Sequence, residues 1–199
     1  MIAIIDYGMG NLRSVQKALE REGAQTVITQ DPKVLKKADK IVLPGVGAMK
    51  PAMQKLETLG LIEPIKEAIA YGKPFLGICL GFQLLFSTSD EGGNAKGLGI
   101  LPGAVRKFKS LKVPHMGWNQ LIIKNDRCAI LSGIKNSSDV YFCHSYFVQP
   151  KQRTITAATT KYGREFACVG AYKNIFGVQF HPEKSQDIGL KILQNFVNL

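Results

Sequence analysis

Four short apolar runs, Ile2–Ile5, Thr26–Thr29, Ile41–Leu43 and Phe75–Ile78, alternate with stretches of helical periodicity. Leu12, Val15, Ala18 and Leu19 recur at helical spacing. Asp31-Pro32 opens a short helix, and helical segments follow over Met49–Leu59 and Leu61–Tyr71. A strand that is apolar throughout must be covered on both faces, and helices between successive strands make those strands parallel. The first half therefore predicts an α/β fold with a mostly parallel central sheet flanked by helices. Ligands bind such sheets at the carboxyl ends of the strands. Asp6, Gly45, Gly47 and Cys79 all fall there.

The second half changes character. Ala104–Phe108, Gln120–Lys124, Asp139–Phe147, Ile155–Thr160, Phe166–Tyr172 and Ile175–Phe180 read as strands between turn residues, and the second half is expected to add antiparallel strands to the sheet. A last helix spans Gln186–Val197, with Ile188, Ile192, Leu193, Phe196 and Val197 on one stripe. No linker, repeat or low-complexity tract interrupts the chain, so residues 1–199 are expected to form a single domain.

Composition excludes several classes. No apolar run approaches a membrane span. Met1–Asp6 lacks the basic region and cleavage pattern of a signal peptide. The four cysteines lack CxxC spacing, which predicts neither a zinc site nor a disulfide scaffold and fits a reducing, cytoplasmic compartment. The net charge is +11, with clusters at Lys33, Lys36, Lys37 and Lys40 and at Arg106, Lys107, Lys109 and Lys112. These clusters lack interleaved aromatics and any nucleic-acid-binding signature, so they are read as solvated basic faces without a nucleic-acid partner. Gly8-Met9-Gly10 after the first strand suggests a dinucleotide fingerprint, but Arg13 stands where the third glycine belongs.

The chemistry concentrates at Gly77-Ile78-Cys79-Leu80-Gly81. A strand feeding a helix through a G-x-nucleophile-x-G turn holds its central residue in a sharp bend at a helix N-terminus, where the dipole favours a thiolate. His181-Pro182-Glu183 follows the last strand-like run and offers an imidazole with an orienting acid. Cys79, His181 and Glu183 are thus a candidate triad for attack on an acyl carbon. Cys128, Cys143 and Cys168 lack the elbow and read as small core residues. Pro44-Gly45-Val46-Gly47 ends the third strand beside the elbow. Its glycines allow a peptide to turn its N–H toward a developing oxyanion, and the Leu80 N–H is the second candidate donor.

Gly77–Gln83 together with His181-Pro182-Glu183 resembles the class I glutamine amidotransferase family. Asp6-Tyr7-Gly8-Met9-Gly10-Asn11, Pro114–Asn119 and His144-Ser145-Tyr146 narrow the likeness to the branch of glutaminase subunits of imidazole glycerol phosphate synthases. The resemblance implies a flavodoxin-like fold, no cofactor and no metal. It implies hydrolysis of L-glutamine to glutamate and ammonia. It also implies a heterodimer with a cyclase subunit, a (β/α)8 barrel, which uses that ammonia to make imidazole glycerol phosphate and AICAR in histidine biosynthesis. Within the family's pattern Gly45, Gly47, Gln83, Glu91, Ser145 and Tyr146 hold the substrate. Asn11, Met116, Trp118, Tyr141 and Lys184 face the partner or the ammonia passage. From the residues alone, Asn11 also suits a helix N-cap, a core Trp118 is as plausible as an interface one, Tyr146 has the alternative of a core aromatic, and Gln83 and Glu91 have the alternative of polar surface. His115 has no paired acid in its motif and is read as structural. The other readings weighed are glutaminases serving pyridoxal phosphate or aminodeoxychorismate synthesis, or a γ-glutamyl hydrolase.

Overall fold

The computed structural model describes residues 1–109 and 112–199. The first half runs β1 (Ile2–Ile5), α1 (Leu12–Arg21), β2 (Thr26–Thr29), α2 (Pro32–Lys37), β3 (Lys40–Gly45), α3 (Met49–Thr58), α4 (Ile62–Ala70), β4 (Phe75–Cys79) and α5 (Leu80–Leu84). The second half runs β5 (Phe86–Ser89), β6 (Ala95–Lys96), β7 (Leu101–Lys107), β8 (His115–Gln120), β9 (Ile122–Ile123), β10 (Asp139–His144), β11 (Tyr146–Pro150), β12 (Thr156–Tyr162), β13 (Arg164–Tyr172), β14 (Ile175–Val178) and α6 (Gln186–Val197).

Strands β2, β1, β3, β4 and β14 lie side by side in that order and pair in parallel. From β14 the sheet continues through β13, β11 and β7 in antiparallel pairs, and β12 joins β13 from the side. Alternate side chains of β1 enter opposite cores, which is why the run is apolar throughout. Ile2 and Ile4 pack with Val15 and Leu19 of α1 and Leu193 and Phe196 of α6. Ala3 and Ile5 pack with Leu35 of α2, Leu56 of α3 and Ile65 of α4. Lys40 begins β3 whereas Cys79 ends β4, so the basic cluster that includes Lys36 and Lys37 at the end of α2 lies at the far ends of the strands from the elbow.

Two strand expectations are corrected. Asp139–Phe147 is not one strand. It breaks at Ser145 into β10, which pairs only with β8 in a separate two-stranded sheet, and β11, which belongs to the main sheet. Gln120–Lys124 is not the principal strand of its region either. The ladder is β8, and only Ile122 and Ile123 pair further on, with β12. The reason is an inverted pattern: Met116 and Trp118 of β8 are exposed while His115 is buried. Hydrophobic alternation misreads such a strand. The short β5 and β6 carry mostly small or polar residues and give no apolar signal.

The helix after the elbow is seated by two glycines. Gly170 of β13 pairs with Gly177 of β14, and the Phe82 ring of α5 lies on both. A Cβ on Gly170 would stand 2.7 Å from the ring, and one on Gly177 would overlap it. Gly177→Ala is therefore expected to destabilise the fold by about 1–3 kcal/mol in chemical denaturation, the cost of overpacking a filled core.

Candidate active site

Cys79 ends β4 and caps α5 with φ 53° and ψ −107°. This is left-handed backbone for a residue with a side chain, and such strain costs about 1–3 kcal/mol where the surroundings enforce it. The neighbouring glycines enforce it here. A Cβ on Gly81 would overlap the Leu43 carbonyl of β3, and one on Gly77 would stand 2.7 Å from the Gly81 carbonyl oxygen. The thiol points to the strand ends, 4.0 Å from the Cys143 carbonyl oxygen and 3.8 Å from the Gln179 side-chain nitrogen.

His181 follows β14, whose parallel pairing with β4 brings it beside Cys79. Its Nδ1 stands 2.8 Å from Oε1 of Glu183. A carboxylate only accepts, so Nδ1 carries the hydrogen and Nε2 is left for the sulfur. Burial pushes the imidazole pKa down, but Cys79 and Glu183 outweigh it and raise it to about 10. A ring of hydrogen bonds fixes the backbone: His181 N–H to the Tyr141 carbonyl at 2.9 Å, Tyr141 N–H to the Ser185 hydroxyl at 2.9 Å, and that hydroxyl to the His181 carbonyl at 2.7 Å.

A cavity of 320 Å³ opens over the thiol. Among its lining residues are Val46, Gly47, Leu80, Gln83, Glu91, Ser145, Tyr146, His181 and Lys184. This size is at the small end of small-molecule pockets. Gly45 lies beneath it, level with Cys79 in the β3–β4 register, and Glu183 stands behind His181. Val46 is 44% exposed, at a turn where Gly47 has φ 93°. Gln83 is buried, and its amide nitrogen donates to the Tyr146 carbonyl and to Gln179. One oxygen of Glu91 accepts the Met49 N–H at 2.6 Å and so caps α3, whose own N-cap Ala48 has no side-chain acceptor.

Asn11, Met116, Trp118 and Tyr141 do not line the cavity. Tyr141 faces Trp118 across the β8–β10 ladder, and Cys143 faces Met116. Trp118 and Tyr141 meet edge to face at 5.9 Å. The Gly8–Asn11 loop packs on the Gly45–Gly47 turn: a Cβ on Gly47 would stand 2.8 Å from the Met9 methyl. Asn11 holds the N-cap position of α1, but its side chain makes no capping hydrogen bond and is exposed.

Sequence reasoning missed three participants. Cys143 is not a core residue: it is half-buried and lines the cavity, because β10 turns its odd-numbered side chains outward. Gln179 is fully buried and ties Cys79 to Gln83; it stands two residues before His181, the spacing that puts both on one side of an extended chain. His144 joins His115 in a directed relay. The Tyr146 carbonyl can only accept, so His144 Nδ1 donates to it at 2.8 Å. His144 Nε2 then accepts from His115 Nδ1 at 2.9 Å, and His115 Nε2 accepts from the Asn119 amide at 3.2 Å. His115 thus remains structural, yet it holds the segment that lines the cavity.

Burial lowers the pKa of His115 to about 4 and that of His144 to about 3. Histidine NMR across pH should find both neutral throughout the physiological range and His181 losing its proton near pH 10. The stability consequences have opposite signs. Below the ordinary imidazole value of about 6.5 the unfolded chain takes protons that folded His115 and His144 refuse, so stability should fall with acid. The stabilisation from protonated His181 is complete below about 6.5 and is lost as pH rises through its folded value.

Comparison with known proteins follows the same lines. The family model described as glutamine amidotransferase class-I matches residues 3–199. The chain is 51% identical to the imidazole glycerol phosphate synthase subunit HisH of Syntrophotalea carbinolica, over 98% of each chain. It is 53% identical to the protein of that name from Geobacter sulfurreducens, over 98% of this chain and 97% of that one. Among solved structures, PurLQS from Thermotoga maritima superposes with a TM-score of 0.75 at 21% identity, covering 99% of this chain and 97% of that one. That likeness shows the fold.

Proposed function

The chain belongs to the class-I glutamine amidotransferase family, and on that footing we propose that it is the glutaminase subunit of an imidazole glycerol phosphate synthase in histidine biosynthesis. The observation that carries the chemistry is the strained Cys79 beside an imidazole oriented by Glu183, both lining one small cavity. We read residues 1–199 as a single catalytic domain.

Cys79 Sγ attacks the side-chain carboxamide carbon of glutamine, and the Val46 and Leu80 N–H groups stabilise the oxyanion. The imidazolium of His181 gives its Nε2 proton to the departing nitrogen, which leaves as ammonia, with a γ-glutamyl thioester on Cys79. His181 then takes a proton from water as its oxygen attacks the thioester, releasing glutamate and the thiolate. Glu183 keeps the Nδ1 hydrogen in place through both steps. Gly45 and Gly47 let the turn approach the substrate; Gln83, Glu91, Ser145 and Tyr146 hold its amino-acid end.

The ammonia passes to a cyclase subunit with a barrel fold, seated on the surface to which we assign Asn11, Met116, Trp118, Tyr141 and Lys184. Met116 and Trp118 support this: they are 61% and 49% exposed, on the outward face of the sheet whose Cys143 lines the cavity. Aromatic and methionine side chains in such a position suit an interface. We place the protein in the cytoplasm, which its free cysteines suit. Among the described residues no helix is long and apolar enough to cross a membrane.

The test is Cys79→Ala in the two-subunit enzyme. Glutamine-dependent synthesis should be lost while synthesis from ammonium salts persists, because free ammonia bypasses this subunit. Glutamine-dependent turnover within about tenfold of the parent would overturn the nucleophile assignment. A second prediction concerns Lys184→Glu, which should raise the glutamate formed per imidazole product more than it lowers glutamine hydrolysis, most clearly at low ionic strength.

A further inference from the structure

Tyr7 has no task in the mechanism above, yet it lies beside its working parts. It follows β1 and is fully buried, and its hydroxyl has no hydrogen-bond partner among the described residues. A buried hydroxyl left unpaired is costly, and phenylalanine would fill the same space without that cost. The oxygen is pressed against the oxyanion turn: a Cβ on Gly45 would overlap it. Burial, together with the nearby charge of Cys79, raises the phenol's pKa, so it keeps its hydrogen and remains a donor.

We propose that Tyr7 is a positioning residue for the oxyanion hole, whose hydroxyl receives the Gly45 carbonyl when the Gly45–Val46 peptide turns its N–H into the cavity. The inference rests on the reading of the Val46 N–H as an oxyanion donor. The N–H and C=O of one peptide point in opposite directions. When the N–H faces the cavity above, the carbonyl faces the floor beneath, where Tyr7 packs with Leu43, Met49 and Leu80. The side chains there are apolar apart from the phenol, and a carbonyl turned into that space needs a donor. The phenol supplies a side-chain donor there, beside the Gly81 backbone nitrogen, and Gly45 leaves the space for hydroxyl and carbonyl to meet. The same hydroxyl is unpaired in the resting arrangement, so the resting turn gives up nothing at this point when it rotates.

The decisive variant is Tyr7→Phe in the two-subunit enzyme. Glutamine turnover should fall about tenfold or more, the KM for glutamine should stay within about twofold, and synthesis from ammonium salts should be unchanged. Thermal stability should be equal or higher, since the deleted hydroxyl had no partner; a tyrosine that served only the fold would give the reverse pattern. Val46→Pro, which deletes the peptide N–H, separates the two ideas. If it folds and leaves glutamine hydrolysis intact, the oxyanion reading fails and this inference with it. If it abolishes hydrolysis while Tyr7→Phe keeps its turnover within about twofold of the parent, the role of Tyr7 alone is overturned. Should Val46→Pro not fold, the turnover of Tyr7→Phe decides by the same limits.

Discussion

The close approach of one short helix to the sheet governs this molecule. Gly81 of α5 touches the Leu43 carbonyl of β3, and Phe82 lies on Gly170 and Gly177. With no Cβ at any of these points, α5 sits nearer the sheet than ordinary side chains permit. The preceding residue must then turn through left-handed backbone, and that residue is Cys79. The position of the Cys79 sulfur therefore depends on the contacts between α5 and the sheet.

The other groups arrive through pairing with β4. On one side β3 brings the Gly45–Gly47 turn, and on the other β14 brings His181. Each is one strand away from Cys79, so His181 and the Gly45–Gly47 turn converge on it without a long loop. The second-half strands do different work. The β8–β10 sheet stands beside the main sheet and ties its Tyr141 backbone into the histidine turn, while its outer face carries Trp118 and Met116. An exposed aromatic thus lies one hydrogen-bonded strand away from the catalytic imidazole.

The parallel half was legible in the sequence because each strand is buried on both faces and each is followed by a patterned helix. Cys79, His181 and Glu183 were legible because chemistry of this kind requires glycines and an acid at fixed offsets. β8 was not, because a strand that turns methionine and tryptophan outward and histidine inward contradicts the usual rule of burial. Nor was the break at Ser145, since no glycine or proline marks it and strand formers lie on both sides. Gln179 was hidden for a different reason. A single buried amide has no period, and its role emerges only when β14 and α5 are brought together.

The relay from Asn119 through His115 and His144 to the Tyr146 carbonyl has a fixed polarity, because it ends on a group that only accepts. His144 lines the cavity, but its Nε2 lone pair is already occupied and its Nδ1 hydrogen is already given. It is therefore closed to proton traffic despite lying beside the reacting atoms. His181, alone of the three imidazoles, keeps a ring nitrogen open to the cavity. Of the imidazoles beside the cavity, only that of His181 is therefore free to exchange a proton there.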